Sequence, residues 1–266
     1  MTLKIDPKKV AEIIRETASV DILPFFRKLK DHEISDKESG EIVTEADVRA
    51  EKRLTRGLLA LLPGSVAIGE EAVDADPTIE ERLLGEEPVW VIDPVDGTHN
   101  FASGKECFCV IIALCHGGET IAGWIYDPIA EVIHFAEIGK GAWANDRCLK
   151  IPTPPIRNNM TASLGQIRQD KFKKNLSSEE IPKNMLRYRC IGREYTDMAL
   201  GKIHFGEYGI LKPWDHAAGL LIISEAGGYH AYIETQNPYK PIPTIKEPLL
   251  VTTSEPEWLK LRKLFA

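Results

Sequence analysis

Trp90-Val91-Ile92-Asp93-Pro94-Val95-Asp96-Gly97-Thr98-His99-Asn100-Phe101 is the stretch around which the chain is organised. Residues 89–92 are β-branched and aromatic and read as a buried strand that stops at a carboxylate, Asp93. Pro94 has no N–H with which to continue a ladder. Asp96 follows, and behind it Gly97 and Thr98 form a turn whose backbone N–H groups can face an anion. Carboxylates beside an anion site repel a phosphate unless cations lie between them, and hard divalent cations such as Mg2+ bind through a few carboxylates together with phosphate oxygens. The local chemistry calls for metal and phosphate together.

Toward the N-terminus, apolar residues at Val10, Ile13, Ile14, Ala18 and Ile22 predict an amphipathic helix over residues 6–30, started by Asp6-Pro7 and kinked or restarted at Pro24. Residues 35–41, which include Lys37, are polar and read as a loop or tight hairpin. Thr44-Glu45-Ala46-Asp47 has the form of a helix N-cap with an acid at the third position, opening a second helix through Ala50, Leu54, Leu58 and Leu61 that Pro63-Gly64 ends. A short strand over residues 66–69 delivers Glu70 and Glu71, and residues 76–84 form a surface helix. On the other side, residues 107–116, 120–126 and 131–137 predict an antiparallel meander. The first half is thus two helices laid on a sheet.

Residues 150–183 are rich in Pro, Asn, Lys and Ser, with a short strand at 162–164, and mark the boundary between halves. Residues 1–150 carry the metal-binding turns, residues 151–266 complete the site, and the two form one catalytic unit. Beyond the boundary the expected order is a strand at 187–191, a helix at 194–200, a strand at 203–205, and an apolar helix at 215–226 with Asp215 as its first residue. Strands at 229–233 and 249–252 and a helix at 257–264 follow.

With 43% apolar and 27% charged residues the composition is that of a globular cytoplasmic protein, without a membrane-length apolar run or a signal-like core in residues 1–10. The formal charge of -7 gives no general reason to bind nucleic acid. Five cysteines, without a Cys-x-x-Cys pair, argue against a disulfide framework and read as buried reduced thiols.

Taken singly, each acid has an ordinary explanation. Asp47 starts a helix, Asp215 caps one for roughly 0.3–1 kcal/mol, and a Glu70-Glu71 pair is usually solvated. Yet Glu70-Glu71, Asp93 with Asp96, and Asp215 each stand at the edge of an apolar element. If the fold joins those edges, five carboxylates meet in one cleft, which only divalent cations make tolerable.

Asp93-Pro94-Val95-Asp96-Gly97-Thr98-His99-Asn100-Phe101 resembles the Asp-Pro-(Ile/Val/Leu)-Asp-Gly-Thr-x-Asn-Phe signature of the inositol monophosphatase family. Trp214-Asp215-His216-Ala217-Ala218-Gly219, followed by Glu225-Ala226-Gly227-Gly228, is similar to its second signature, and Gly69-Glu70-Glu71 to its third. The resemblance implies an α+β fold, a layered α-β-α-β-α sandwich of the sugar-phosphatase type. It implies a homodimer and Mg2+-dependent hydrolysis of a phosphomonoester, with two to three ions per site, Mn2+ as a possible substitute and Li+ as inhibitor.

By motif position, Glu70, Asp93 and the Val95 carbonyl would hold one metal, and Asp93, Asp96 and Asp215 a second. A third ion would lean on Glu70 through water. Gly97 and Thr98 would cradle the phosphate, and Thr98 would pair with Asp47 to orient the attacking water. Lys37 occupies the place where bacterial members carry a lysine near the phosphate. His99 and His216 fall inside motifs but outside the ligand positions.

Inositol-specific members have a glutamate seven residues before the Trp-Asp aspartate; here Tyr208 stands there, with Glu207 one place early. Arg193 and Glu194 replace small residues and are expected to pair with each other, to reach substrate, or to cross a dimer interface. With Glu207 and Asp215 they are the candidate substrate contacts. Inositol 1-phosphate is the first substrate expected. The alternatives are histidinol phosphate, fructose 1,6-bisphosphate, a 3′-phosphorylated nucleotide, or a binding role with RNA or the transcription machinery. A bisphosphate site needs an extra basic cluster, and Lys171, Lys173 and Lys174 lie in a tract that reads as solvated surface.

Overall fold

Asp6 accepts the Lys8 amide at 3.0 Å and Pro7 sits in the first turn, where a missing N–H is harmless, so the chain opens into α1 (Pro7–Thr17). The computed structural model describes residues 5–37 and 41–265. Residues 1–4 of the N-terminal stretch and residues 38–40 of the polar loop lie outside them. The helix expected over 6–30 ends earlier than its pattern suggests. After Thr17 the backbone widens into a π turn, Ala18–Ile22, and then into tight turns around Pro24. The expected hairpin is β1 (Ile34–Asp36) against β2 (Ile42–Thr44). It leads into α2 (Glu45–Leu61), whose first turn is a capping box in which Asp47 accepts the Thr44 amide at 2.9 Å.

The first sheet has seven strands in sequential order: β3 (Val66–Gly69), β4 (Val89–Asp96), β5 (Cys109–His116), β6 (Glu119–Asp127), β7 (Val132–Glu137), β8 (Gly141–Ala144) and β9 (Arg147–Leu149). Only β3 and β4 run parallel within it; the meander is antiparallel as expected, extended by β8 and β9. Short helices α3 (Glu70–Ala75) and α4 (Thr98–Ala102) follow directly on β3 and β4. Rather than stopping at Asp93, β4 runs on to Asp96 through an irregularity against β5, where Asp93 faces Ile111 and Asp96 faces Cys109. Pro94 sits in that bulge, where the ladder is already interrupted.

Side-chain alternation decides what covers each face. Trp90, Ile92, Val110, Ile112, Leu114 and Trp124 pack under α1 and α2, whereas Val89, Val91, Cys109, Ile111, Ala113 and Ile125 face the opposite way. The second half supplies what they face. Its elements are β10 (Thr161–Ser163), α5 (Gln166–Asn175), β11 (Asn184–Leu186), α6 (Ile191–Ala199), β12 (Phe205–Tyr208), α7 (Pro213–Glu225), β13 (Tyr229–Tyr232), β14 (Leu249–Thr252) and α8 (Glu255–Arg262). The strands form a five-stranded sheet in the order β11-β10-β12-β14-β13. Helices α6 and α7 lie between the two sheets, and α5 and α8 cover the far side of the second. The result is the expected α-β-α-β-α layering. Every residue of α7 from Ala217 to Ile223 is buried, which explains its apolarity all round. Among the described residues no helix is long and apolar enough to cross a membrane.

Three expectations shift in the second half. Residues 187–191 are not a strand: β11 ends at Leu186 and α6 already begins at Ile191. The strand placed at 203–205 starts at Phe205, and Asp215 is the third residue of its helix, after Pro213 and Trp214. The described cysteines are all free, with Cys109, Cys115 and Cys190 buried but Cys148 exposed.

His134 on β7 is buried, and neither ring nitrogen has a hydrogen-bond partner. Burial, with the nearby Arg193 charge, pushes its pKa down to about 4. The folded chain therefore binds fewer protons than the unfolded chain between about pH 4 and 6.5, so this group's contribution to stability is lost as pH falls through that window. Denaturation midpoints should fall more steeply from pH 7 to pH 5 in the wild type than in a His134→Phe variant, as read by urea titration at each pH.

Candidate active site

Strand ends on one side of the first sheet meet the start of α7, and the space between them is a cleft of about 450 Å³. Glu70, Asp93, Val95, Asp96, Gly97, Thr98, His99, Glu194 and Asp215 line it, with Glu41, Arg187, Arg189 and Lys212. Four of the five expected carboxylates thus face one space. The fifth, Glu71, is turned to Lys37, whose Nζ reaches Glu71 Oε1 at 2.8 Å and Glu70 Oε1 at 3.1 Å. Burial works against the charge of Lys37, but the two glutamates hold its pKa well above the usual lysine value.

Burial first, and then repulsion from Glu70, Asp96 and Asp215, pushes the Asp93 carboxyl far above the usual range; Asp215 is raised by burial, Glu70 and Asp96. Asp93 is 2% exposed, and among the described residues the one donor it receives is the Val95 amide at 3.1 Å. Asp96 is raised by burial but better supplied: the amides of Ile191 (2.9 Å) and Gly192 (2.7 Å) point at it from the start of α6, and the Cys109 and Cys190 thiols lie 3.2 Å from Oδ2. That carboxylate explains why residues 190–192 turn into a helix rather than continuing a strand. Burial keeps both thiols protonated, Cys109 pushed up to about 12, so they act as donors to Asp96.

Gly97 has φ +89° and starts α4, whose first amides have no intrahelical acceptor. Thr98 Oγ1 lies 3.0 Å from the Val95 carbonyl and 3.3 Å from Asp47 Oδ1, so its single proton has two acceptors to choose from. Asp47 is fully buried and burial pushes it up to about 6. A residue not foreseen, Glu51 on α2, accepts the amides of Glu71 (2.8 Å) and Ala72 (3.0 Å) and so fixes the start of α3 that carries Glu70. Its helical spacing of four from Asp47 was the available signal.

The expected substrate contacts separate. Arg193 and Glu194 do not pair with each other, because consecutive helical residues point apart. Arg193 turns to Asp127 and lies 4.0 Å from Asp197. Glu194 turns inward, 1% exposed, and accepts from Arg187 (3.2 Å), the Tyr188 amide (2.8 Å), Tyr208 (3.2 Å) and Ser163. Glu207 is engaged by Arg168 at 3.1 Å and does not line the cleft. His216 packs between Tyr195, whose hydroxyl is 2.6 Å from Nδ1, and the Ile210 carbonyl; burial pushes its pKa down to about 3. Replacing Glu194 by Ala leaves those four donors without their acceptor, with a cost of about 3 kcal/mol, at the low end for a buried ion pair because Arg187 is partly solvated. Urea denaturation should read it as a lower midpoint at unchanged slope.

The basic residues of the cleft, Arg187, Arg189 and Lys212, escaped the sequence reading, although the spacing Arg187-Tyr188-Arg189 was a usable signal. Lys171, Lys173 and Lys174 lie on α5, away from the cleft lining. The acids facing the cleft offer carboxylate oxygens, three of them pushed toward protonation first by burial, and that oxygen set fits hard divalent ions, with His99 and Cys190 also in the lining.

The profile of the inositol monophosphatase family matches residues 6–260. An inositol-1-monophosphatase of Mesorhizobium japonicum is 33% identical over 215 residues, 77% of each chain. Among solved structures, the Thermotoga maritima IMPase superposes with TM-score 0.80 at 20% identity, covering 97% of this chain and 95% of its own. An IMPase/NADP phosphatase complexed with Mg2+ and phosphate gives 0.80 at 18% identity, covering 96% and 94%. The two structures show the fold.

Proposed function

The chain belongs to the inositol monophosphatase family and is a metal-dependent phosphatase, and from that premise we propose that it hydrolyses a sugar or polyol phosphomonoester with Mg2+, inositol 1-phosphate first among the esters to be tried. One observation carries the reading: Glu70, Asp93, Asp96 and Asp215, from three separate segments, face the same cleft beside the Gly97 turn. Glu70, Asp93 and the Val95 carbonyl would hold one cation and Asp93, Asp96 and Asp215 another, with a third on Glu70 through water. When bound, the cations supply an activated water and neutralise charge on the phosphoryl group and leaving oxygen.

The chain's own groups do the positioning. The first-turn amides of α4 receive phosphate oxygens. Thr98 Oγ1, held between Val95 and Asp47, orients the attacking water. Lys37 fixes Glu70 through its ion pair. Neither histidine of the motifs enters, and His216 is fully engaged by Tyr195 and Ile210. The same reading has the enzyme as a homodimer, which sedimentation equilibrium measures.

The test is phosphate release with Mg2+ from inositol 1-phosphate, histidinol phosphate, fructose 1,6-bisphosphate and 3′-phosphoadenosine 5′-phosphate, with Asp96→Asn as the blank. Release above the blank is expected for at least one ester, with Mn2+ in partial replacement and millimolar Li+ inhibiting. A wild type that matches the blank on every ester, while Mg2+ leaves its melting temperature unmoved, would remove the assignment.

A further inference from the structure

Two thiols meet one of the cleft's carboxylates. Asp96 ends β4, Cys109 stands opposite it at the start of β5, and Cys190 immediately precedes α6. All three are buried. Each sulfur lies 3.2 Å from Asp96 Oδ2, and the two sulfurs are 3.8 Å apart. Gly192 makes the approach possible, since a Cβ there would stand 2.5 Å from Cys109 Sγ. Hydrogen bonding does not use up what this cluster offers. The amides of Ile191 and Gly192 already serve both oxygens of Asp96, and a hydroxyl would donate to a carboxylate more strongly than a thiol does. Sulfur at both positions adds an affinity for soft and borderline cations that serine would not supply.

The triangle has the dimensions of a zinc site. Around a tetrahedral Zn2+ ion, two thiolates at about 2.3 Å stand about 3.8 Å apart, and a thiolate and a carboxylate oxygen about 3.5 Å apart. The edges here are 3.8 Å between the sulfurs and 3.2 Å from each sulfur to the oxygen, so one ion can reach all three atoms at ordinary bond lengths with little movement. The Ile191 and Gly192 amides hold the carboxylate in place for it. Asp96 and Cys190 also line the cleft, which gives the ion a way in and supplies water for its fourth position. On binding, two thiol protons leave to solvent and two thiolates remain on the metal.

We propose that Asp96, Cys109 and Cys190 form a binding site for Zn2+ or another thiophilic divalent ion, and that an ion held there inhibits the enzyme by taking Asp96 from the Mg2+ set. The binding stands apart from catalysis; the inhibition rests on the phosphatase reading above. Mg2+ prefers oxygen and has little use for the sulfurs, so a hard and a soft ion compete for one carboxylate.

The probe is Cd2+, whose bonds to thiolate absorb in the ultraviolet, added to the fully reduced protein without Mg2+. One equivalent should give the absorption of two thiolate bonds. Cys109→Ser and Cys190→Ser, each of which keeps a donor for Asp96, should weaken that binding by about a hundredfold or more, since changes merely around a metal site cost roughly 10–100-fold. Cys148→Ser, at an exposed position away from the cleft lining, should leave it unchanged. In phosphate release at fixed Mg2+, Zn2+ should inhibit the wild type. The inhibition constant, with each variant referred to its own rate in Mg2+ alone, should rise by a similar factor in the two serine variants. Absence of thiolate absorption at stoichiometric Cd2+, or absorption that survives both serine substitutions, would overturn the site. Zn2+ inhibition of equal strength in the wild type and both variants would put the inhibiting ion on the carboxylates alone and overturn the role. Inertness toward every ester would count against the phosphatase reading, while the Cd2+ titration would still decide the site.

Discussion

Asp93→Asn should lower phosphate release by about a thousandfold or more and raise the melting temperature of the metal-free protein. The two effects come from one position for opposite reasons. Asp93 is a carboxylate hemmed in by its own kind: buried, with Glu70, Asp96 and Asp215 all disfavouring its charge, and among the described residues with only the Val95 amide in support. An asparagine keeps an oxygen for that amide, has the same shape, and takes one negative charge out of the group. Without metal the cleft relaxes, and each kcal/mol of relief should appear as about 2–4 °C. With metal the same change removes the carboxylate assigned to both ions. Scanning fluorimetry with and without Mg2+, alongside phosphate release, checks both halves. A variant with wild-type turnover, or one that melts lower without metal yet gains as much from Mg2+, would take Asp93 out of the proposed ligand set.

Much of this cleft was legible because its acids stand where apolar runs stop. Val66–Gly69, Val89–Asp96 and Pro213–Glu225 carry strong periodic or continuous apolar signals, and Glu70, Asp93, Asp96 and Asp215 fall at their ends, so the elements and the site came from one pattern. The misses have the converse cause. Helix α5 has charged residues on most of its surface and one buried residue, Phe172, while Ile167 is 89% exposed; no apolar stripe announces it. Strands β8 (Gly-Ala-Trp-Ala) and β9 (Arg-Cys-Leu) are four and three residues long, too short for alternation to register. Residues 187–191 look like a strand by composition, and only the demand of a distant carboxylate, Asp96, for the amides of Ile191 and Gly192 turns them into a loop and helix start. For the same reason the cleft's arginines were hidden: their position follows from contacts 88 and 89 residues apart in sequence, between Asn100 and the Arg189 loop, which local pattern does not encode.

Those contacts make Gly97→Ala the most damaging small substitution in the chain's central turn. The residue holds φ +89°, where a Cβ costs on the order of 1–2 kcal/mol, and the added carbon would stand 2.9 Å from the Cys107 carbonyl and 3.1 Å from Cys190 Cβ. Both neighbours are tied down. The Cys107 carbonyl accepts from Asn100, and Cys190 donates to Asp96, so neither can retreat without disturbing the next group in line. Strain and collision together should cost about 3 kcal/mol, on the order of 6–12 °C in melting temperature. The chemistry should suffer more than the fold, because the shift passes into the amides of Gly97 and Thr98, into Asp96, and into the loop bearing Arg189. Misplacement of positioned groups by about 1 Å is enough for roughly a hundredfold loss in kcat/KM. Gly97→Ala and Gly64→Ala form the informative pair, since Gly64 also has positive φ, +87°, but open space around it. Both variants should melt lower, and only the first should lose turnover; comparable turnover in the two would mean that the Gly97 turn is merely a bend.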